Sequence, residues 1–74
     1  MNGKKVMELR KQKGLTLEQL GAKVGVSHGM IARIESGSKE PSIKLLVALA
    51  VALGVTPGEL IDAPEAALGD VDVS

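Results

Sequence analysis

The 74-residue sequence contains no phenylalanine, tyrosine, tryptophan or cysteine, and His28 is its only histidine. A hydrophobic core must therefore be aliphatic, and the lack of cysteine excludes disulfides, thiolate metal sites and cysteine nucleophiles. A single histidine also removes two-histidine zinc sites and most acid–base pairs. The composition argues against an enzyme, and we expect neither a cofactor nor a bound metal ion.

Long apolar segments are also missing. No apolar run approaches the roughly 20 residues that a membrane span requires. The first five residues, Met-Asn-Gly-Lys-Lys, are not followed by an apolar stretch of signal-peptide length. We therefore expect a cytoplasmic protein with no membrane partner. The length suits one small domain with a modest core, whose stability is often supplemented by a partner chain.

Charge is distributed unevenly along the chain, although the total is zero. Residues 1–61 contain all nine basic residues and five of the nine acidic ones, which leaves a net charge of +4. Residues 62–74 contain the other four acidic residues and carry −4. We predict one domain over residues 1–62 and an acidic tail over 63–74. The tail is either frayed or an arm, in which Val71 and Val73 alternate with acids as in an edge strand.

Capping signals divide the predicted domain into five helices. Thr16 and Gln19 form a capping box, Ser27 and Ser42 are N-caps, and Pro57 suits the first position of a helix. Glycines close the first, third and fourth helices. The predicted helices cover residues 4–13, 17–24, 28–36, 43–53 and 57–61.

The second and third predicted helices are joined by a short turn that contains Gly25. Two short helices joined in this way form a helix-turn-helix, whose second helix can lie in the major groove of DNA. Ile31 and Ile34 are predicted to point inward. The outward face of the third helix then carries His28, Gly29, Ala32 and Arg33.

A longer ordered set of residues matches a known family. The matching residues are Leu9-Arg10, Gly14-Leu15-Thr16, Leu20, Gly25-Val26-Ser27, Ile31, Ile34-Glu35-Ser36-Gly37, Pro41-Ser42, Leu45, Leu49-Ala50 and Leu53-Gly54-Val55. With these residues, positions 5–61 resemble the Cro/repressor helix-turn-helix family, also called the XRE family. The resemblance implies an all-α, five-helix bundle of the lambda-repressor-like type that binds operator DNA as a two-fold dimer. It also implies a partly buried ion pair between Arg10 and Glu35, the alternative being two solvated surface charges.

The resemblance places base readout at His28, Gly29, Ala32 and Arg33. An arginine can contact guanine O6 and N7 together, which is worth about 1–3 kcal/mol of discrimination. His28 either donates to DNA or stays exposed without a partner. Gly29 either lets the backbone approach DNA closely or only weakens the helix. Because so few side chains can read bases, we expect DNA shape to contribute to specificity.

Most of the affinity is expected to come from phosphate contacts. Free N–H groups at the start of the second helix form a natural anion site. The family usually has glutamine where this chain has Leu17, whose side chain cannot bind a phosphate. Lys39 is either a phosphate contact or a solvated charge. The predicted phosphate-contacting residues are Thr16, Leu17, Ser27, Ser38, Lys39 and Ser42.

Several apolar residues exceed what the core requires and predict a contact between two copies of the chain. In the family the last helices commonly form the two-fold interface, which is isologous. The alternative is that these residues only complete the core of the monomer. The predicted interface residues are Val47, Val51, Thr56, Leu60 and Ile61.

Two functional hypotheses follow from the sequence. The first is a sequence-specific regulator of transcription, a dimeric repressor that reads half-sites of a double-stranded DNA operator with its third helix in the major groove. No effector domain is apparent, so no small-molecule ligand is expected. The second is a helical protein-interaction module, antitoxin-like or a degenerate helix-turn-helix, with weak or no DNA binding. Zero net charge, Leu17, Gly29 and the acidic tail favour the second hypothesis.

Overall fold

A computed structural model describes residues 1–61, which form five α-helices and no strand. The helices are α1 (Gly3–Gln12), α2 (Leu17–Val24), α3 (His28–Ser36), α4 (Ile43–Leu53) and α5 (Pro57–Leu60). The predicted all-α, five-helix class is confirmed. The predicted acidic tail over 63–74, with its alternating valines, lies outside the described residues.

Local side-chain hydrogen bonds begin the central helices where the sequence predicts. The N–H of Gln19 donates to the Thr16 hydroxyl at 3.0 Å, and the N–H of Thr16 donates to the Gln19 side-chain oxygen at 2.8 Å. The hydroxyls of Ser27 and Ser42 each accept a backbone N–H at 3.2 Å. Each bond satisfies an amide that the first turn of a helix leaves free. These starts therefore depend on residues within three positions of one another.

The first helix begins one residue earlier than predicted. The Asn2 side chain accepts the N–H of Lys5 at 3.0 Å and caps α1, so that Gly3 is already helical. Asparagine is among the preferred N-cap residues. The helix ends at Gln12, and Gly14 follows with a left-handed φ of 71°. The boundaries thus differ from the prediction by one residue at each end.

The core is entirely aliphatic and receives side chains from all five helices. Every helix contributes at least one side chain that is at most 2% exposed. Because α2 and α3 bury their inner faces in this common core, their relative orientation is held by packing. The buried residues are Val6, Leu20, Ile31, Ile34, Leu49, Ala50, Leu53 and Leu60.

Two glycines allow backbones to approach closely around the helix-turn-helix. A Cβ atom on Gly21 would lie 2.5 Å from the carbonyl oxygen of Val26, so the turn folds tightly onto α2. A Cβ on Gly3 would overlap the carbonyl oxygens of Ile34 and Glu35. The start of α1 therefore lies against the end of α3, and both contacts exclude larger residues.

None of the helices described for residues 1–61 is long and apolar enough to cross a membrane.

Candidate nucleic-acid interface

The α2–turn–α3 segment has the geometry of a helix-turn-helix. Gly25 ends α2 in the left-handed conformation, with φ 82°, and Ser27 begins α3 two residues later. The N–H of Val26 donates to the carbonyl of Gly21 at 2.9 Å, which draws the turn against α2. Leu20 and Ile31 are fully buried on the facing sides of the two helices. The opposite side of α3 is therefore presented outward.

The structure places the four predicted base-reading residues along that outward side. His28 and Arg33 are exposed, whereas Gly29 and Ala32 are half-buried. Among the hydrogen bonds and ion pairs of residues 1–61, none involves the Arg33 guanidinium, so its five donors are available to a ligand. Met30, between the two faces, packs against the core. Among these four residues, Arg33 and His28 thus carry the exposed polar side chains.

Arg10 and Glu35 tie the end of α3 to the rest of the domain. The Arg10 Nε donates to Glu35 Oε2 at 2.6 Å, and Nη2 donates to Oε1 at 3.2 Å. The remaining nitrogen, Nη1, donates to the carbonyl of Leu15 at 2.8 Å. The two side chains are 11% and 7% exposed, so this is a nearly buried, bidentate pair. It joins α1, the turn before α2, and α3, and so orients α3 relative to the start of α2.

Three of the predicted phosphate-contacting residues are N-caps whose hydroxyls accept backbone N–H groups: Thr16, Ser27 and Ser42. An accepting hydroxyl retains its own proton, which can be donated to a phosphate oxygen. Leu17 packs half-buried against the core, so only its backbone N–H is available to an anion. Glu18 is exposed in the same turn, and its carboxylate opposes an approaching phosphate. The donors that the start of α2 offers to an anion are therefore neutral.

Ser38 and Lys39, two of the predicted phosphate contacts, lie in the loop between α3 and α4. Both donors of Ser38 point back to the carbonyl of Arg33, the backbone N–H at 3.0 Å and the hydroxyl at 3.3 Å. These bonds help to close α3, and the phosphate contact of the exposed Ser38 stays a prediction. Lys39 is exposed in the same loop. Glu40 is also exposed, and its Oε2 lies 2.8 Å from the amino group of Met1.

The predicted dimer residues divide into two groups. Leu60 is fully buried, and the N–H of Asn2 donates to its carbonyl at 2.8 Å. Because α5 packs onto the start of α1, Leu60 belongs to the monomer core, and its place in an interface was predicted wrongly. Thr56 is exposed. The other three predicted residues are exposed: Val47 by 43%, Val51 by 74% and Ile61 by 48%. Ile43, which the sequence analysis did not select, is 80% exposed.

Residues 1–61 contain no group of three or more histidine, cysteine or acidic side chains that could hold a metal ion. Their surface grooves are shallow; one of about 280 Å³ between α2 and α4 is lined largely by aliphatic side chains, among them Val24, Val26 and Leu45.

Comparison with known proteins identifies relatives of most of the described region. A family model described as Helix-turn-helix matches residues 6–60. The uncharacterized HTH-type transcriptional regulator y4dJ of Sinorhizobium fredii is 39% identical over 59 residues, which cover 80% of this chain and 77% of that protein.

Two solved structures of protein–DNA complexes are also similar to this fold. The P22 c2 repressor with a synthetic operator superposes with a TM-score of 0.80 at 32% identity, over 84% of this chain and 94% of that chain. SinR, a master regulator for biofilm formation, in complex with DNA gives a TM-score of 0.76 at 33% identity, over 84% and 100%. Together with the match of the family model, these likenesses show that the chain belongs to the Cro/C1-type (XRE) helix-turn-helix family.

Proposed function

We propose that this protein is a DNA-binding regulator of transcription, and that it acts as a dimeric repressor whose α3 helices read operator half-sites in the major groove. One observation carries the proposal: the outward side of α3 presents Arg33 and His28, while its inner side and its end are fixed by the core and by Arg10. Membership of the helix-turn-helix family, whose relatives with solved structures include a repressor bound to a synthetic operator and a regulator bound to DNA, supports this function rather than an enzymatic one.

We assign base recognition to the side chains of Arg33 and His28. A guanidinium can bind guanine O6 and N7 with two parallel hydrogen bonds, and each such pair contributes about 1–3 kcal/mol of discrimination. His28, in the first turn of α3, lies at the end of the helix that such proteins direct to base edges. Gly29 and Ala32 lie between them without polar side chains. We therefore expect one strongly specified base pair per half-site, with DNA shape contributing at the others.

Phosphate contacts hold the domain on the duplex. We assign them to the hydroxyls of Thr16, Ser27 and Ser42, the backbone N–H of Leu17 and the ammonium of Lys39. Since most of these donors are neutral, few counterions are released on binding, and the affinity should depend on salt less steeply than that of a strongly basic binder.

The proposal is tested by selecting binding sites from random double-stranded DNA at low salt, and by repeating the selection with Arg33→Ala. We expect an inverted repeat for the wild type, and loss of preference at one position of each half-site for the variant. Lys23→Ala is the matched control, because it removes the same charge from an exposed position near the end of α2. If Arg33→Ala selects the same sites with the same affinity, Arg33 does not read bases.

A protein-interaction module is the alternative function, and the exposed Glu18 beside the half-buried Leu17 favours it, since that turn binds phosphate poorly. Folded protein that enriches no sequence and retards no DNA fragment at low salt would exclude the regulator and favour this alternative.

A further inference from the structure

A shallow groove runs along α4 on the side that packs against α2. Three adjoining depressions of about 490, 400 and 280 Å³ form it, and each shares lining residues with the next. Most of the side chains along the groove are aliphatic, and all but one of these are half-buried. The aliphatic side chains that line its length beside α2 and α4 are Val24, Val26, Leu45, Ala48, Val51 and Ala52.

The charges along this groove are all positive. Lys23 and Lys44 are exposed beside it. Lys13 lies at the end of the groove near Gly54, where a Cβ on the glycine would be 3.5 Å from the ammonium nitrogen. Of residues 1–61, no acidic one lines the groove, and neither of their ion pairs involves these three lysines. An aliphatic groove edged by ammonium groups favours an occupant that carries apolar side chains and carboxylates together.

We propose that this groove is the docking site for residues 62–74 of the same chain, here called the acidic segment. The acidic segment carries a net charge of −4, whereas residues 1–61 carry +4. Its sequence places aliphatic residues next to the acids, as in Asp70-Val71-Asp72-Val73. The segment therefore has both of the properties that the groove favours.

Residues 70–73 suit the part of the groove that lies between α2 and α4. Val24, Val26 and Leu45 line this part, and Lys44 lies at its edge. The two valines of 70–73 fill the aliphatic depression, and the two aspartates lie beside the ammonium group. Exposed ion pairs are weak and are screened by salt. The aliphatic contact therefore supplies the specificity of docking, and the opposite charges supply the attraction.

The acidic segment is long enough to reach every part of the groove. It follows Ile61, and because α5 is helical, the chain from Gly54 to Ile61 spans at most about 20 Å. The groove extends from Ala52 to Ser42, about 15 Å along α4. The acidic segment can span about 43 Å when fully extended, which exceeds these two distances together. Docking within one chain is therefore possible, at an effective concentration on the order of millimolar.

The docked segment competes with DNA at one end of the groove. Ser42, to which we assign a phosphate contact, lines the same depression as Lys44. Carboxylates held there repel the phosphates of a duplex. If the segment is docked for about nine tenths of the time, only a tenth of the molecules are free to bind, and the apparent affinity for DNA is about tenfold lower. This consequence rests on the proposed function, whereas the docking itself does not.

A spin label at the end of the acidic segment tests the docking in the full chain. Because the sequence contains no cysteine, Ser74→Cys provides a single attachment site for a nitroxide, which broadens the NMR signals of nearby amides. We expect the signals of Leu45 and Ala48 to lose intensity in the labelled protein without DNA, and to recover it at high salt. Circular dichroism establishes that each labelled variant is folded.

Two variants of the labelled protein separate the aliphatic contact from the charges. Val71→Ser combined with Val73→Ser keeps every charge of the segment and should restore the lost intensity. Lys44→Glu should restore it as well, because the edge of the groove then repels the carboxylates. Lys4→Glu reverses the same charge at an exposed position of α1 outside the groove. It is the matched control for Lys44→Glu and should leave the intensity loss unchanged.

Each other outcome overturns the inference. Full intensity at Leu45 and Ala48 in the labelled protein would show that the segment does not dock there. An intensity loss that survives in the double serine variant, or that Lys4→Glu abolishes as well as Lys44→Glu does, would reduce the contact to a diffuse attraction of opposite charges. An intensity loss in unlabelled chains mixed with spin-labelled ones would show that the occupant comes from a second copy.

The effect on DNA binding is measured separately, by fluorescence anisotropy with labelled DNA. The double serine variant should bind DNA about tenfold more tightly than the wild type, and equal affinities would refute the competition. Docking in a protein that binds no DNA would refute the regulator and leave the docking site standing. DNA binding by a protein whose Leu45 and Ala48 signals stay at full intensity would do the reverse.

Discussion

Replacing Arg10 with methionine is expected to remove a large part of the stability of the domain. Methionine keeps most of the apolar length of the side chain but donates none of the three hydrogen bonds that the guanidinium makes to Glu35 and to the carbonyl of Leu15. The Glu35 carboxylate, only 7% exposed, then loses both of its donors. Removing one partner of a buried ion pair costs about 3–5 kcal/mol. We expect about 3 kcal/mol, because 11% of Arg10 is exposed.

This loss is large for so small a domain. Folded proteins are stable by about 0.05–0.15 kcal/mol per residue, which for residues 1–61 amounts to roughly 3–9 kcal/mol. Arg10→Met therefore removes at least a third of the free energy of unfolding. If the domain is stable only by the lower value of this range, the variant is at the point of unfolding. Since the protein contains no tryptophan or tyrosine, unfolding in urea is followed by the far-ultraviolet circular dichroism of its helices.

Two further variants identify the cause of the loss. Lys11→Met, at the exposed neighbouring position of α1, should change the free energy of unfolding by less than about 0.5 kcal/mol. Adding Glu35→Leu to Arg10→Met should restore part of the stability, because the uncompensated carboxylate is then gone. If Arg10→Met costs less than about 1 kcal/mol, the pair is no stronger than a solvent-screened surface contact and the reasoning is refuted.

Further predictions concern the two glycines near the turn and the loop lysine. Gly29→Ala should raise the free energy of unfolding by about 0.5–1 kcal/mol, since the nearest atom to its new Cβ is the Ser27 hydroxyl at 3.9 Å. Gly21→Ala should lower the free energy of unfolding by about 1–3 kcal/mol, because its Cβ meets the Val26 carbonyl at 2.5 Å. A urea midpoint equal to that of the wild type would contradict the prediction for either variant. Lys39→Ala should reduce the slope of log affinity against log salt by about 0.9 without changing the selected site. Fluorescence anisotropy with labelled DNA measures that slope, and an unchanged slope would exclude Lys39 from the interface.

The helix boundaries could be predicted from the sequence because they depend on contacts between near neighbours. The Thr16–Gln19 box joins residues three positions apart, and Gly25 takes a left-handed conformation that side chains disfavour. The cap of α1 by Asn2 is also a contact between near neighbours, with Lys5, although the sequence analysis did not predict it. The spacing of these signals, with Ile31 and Ile34 on one side of α3, was sufficient to predict a helix-turn-helix.

The tertiary structure decided which exposed groups remain available to a partner. The pattern of α4 placed Val47 and Val51 outside the core but did not select Ile43, because a helix that is apolar all round has no preferred face until its neighbours are placed. Only packing against the other helices buried Leu60 and left Ile43 exposed. Likewise, Ser38 follows α3 in the sequence as a loop serine, and only the folded backbone directs its hydroxyl to the Arg33 carbonyl.

The sequence by itself thus determined the order and limits of the helices, since those depend on local hydrogen bonds and backbone conformation. The tertiary structure determined which residues meet across the chain. It joined Arg10 to Glu35 across 25 positions, buried Leu60 in the core and left Ile43 exposed. Such contacts result from long-range packing, in which each side chain competes for the interior with residues that are distant in the sequence.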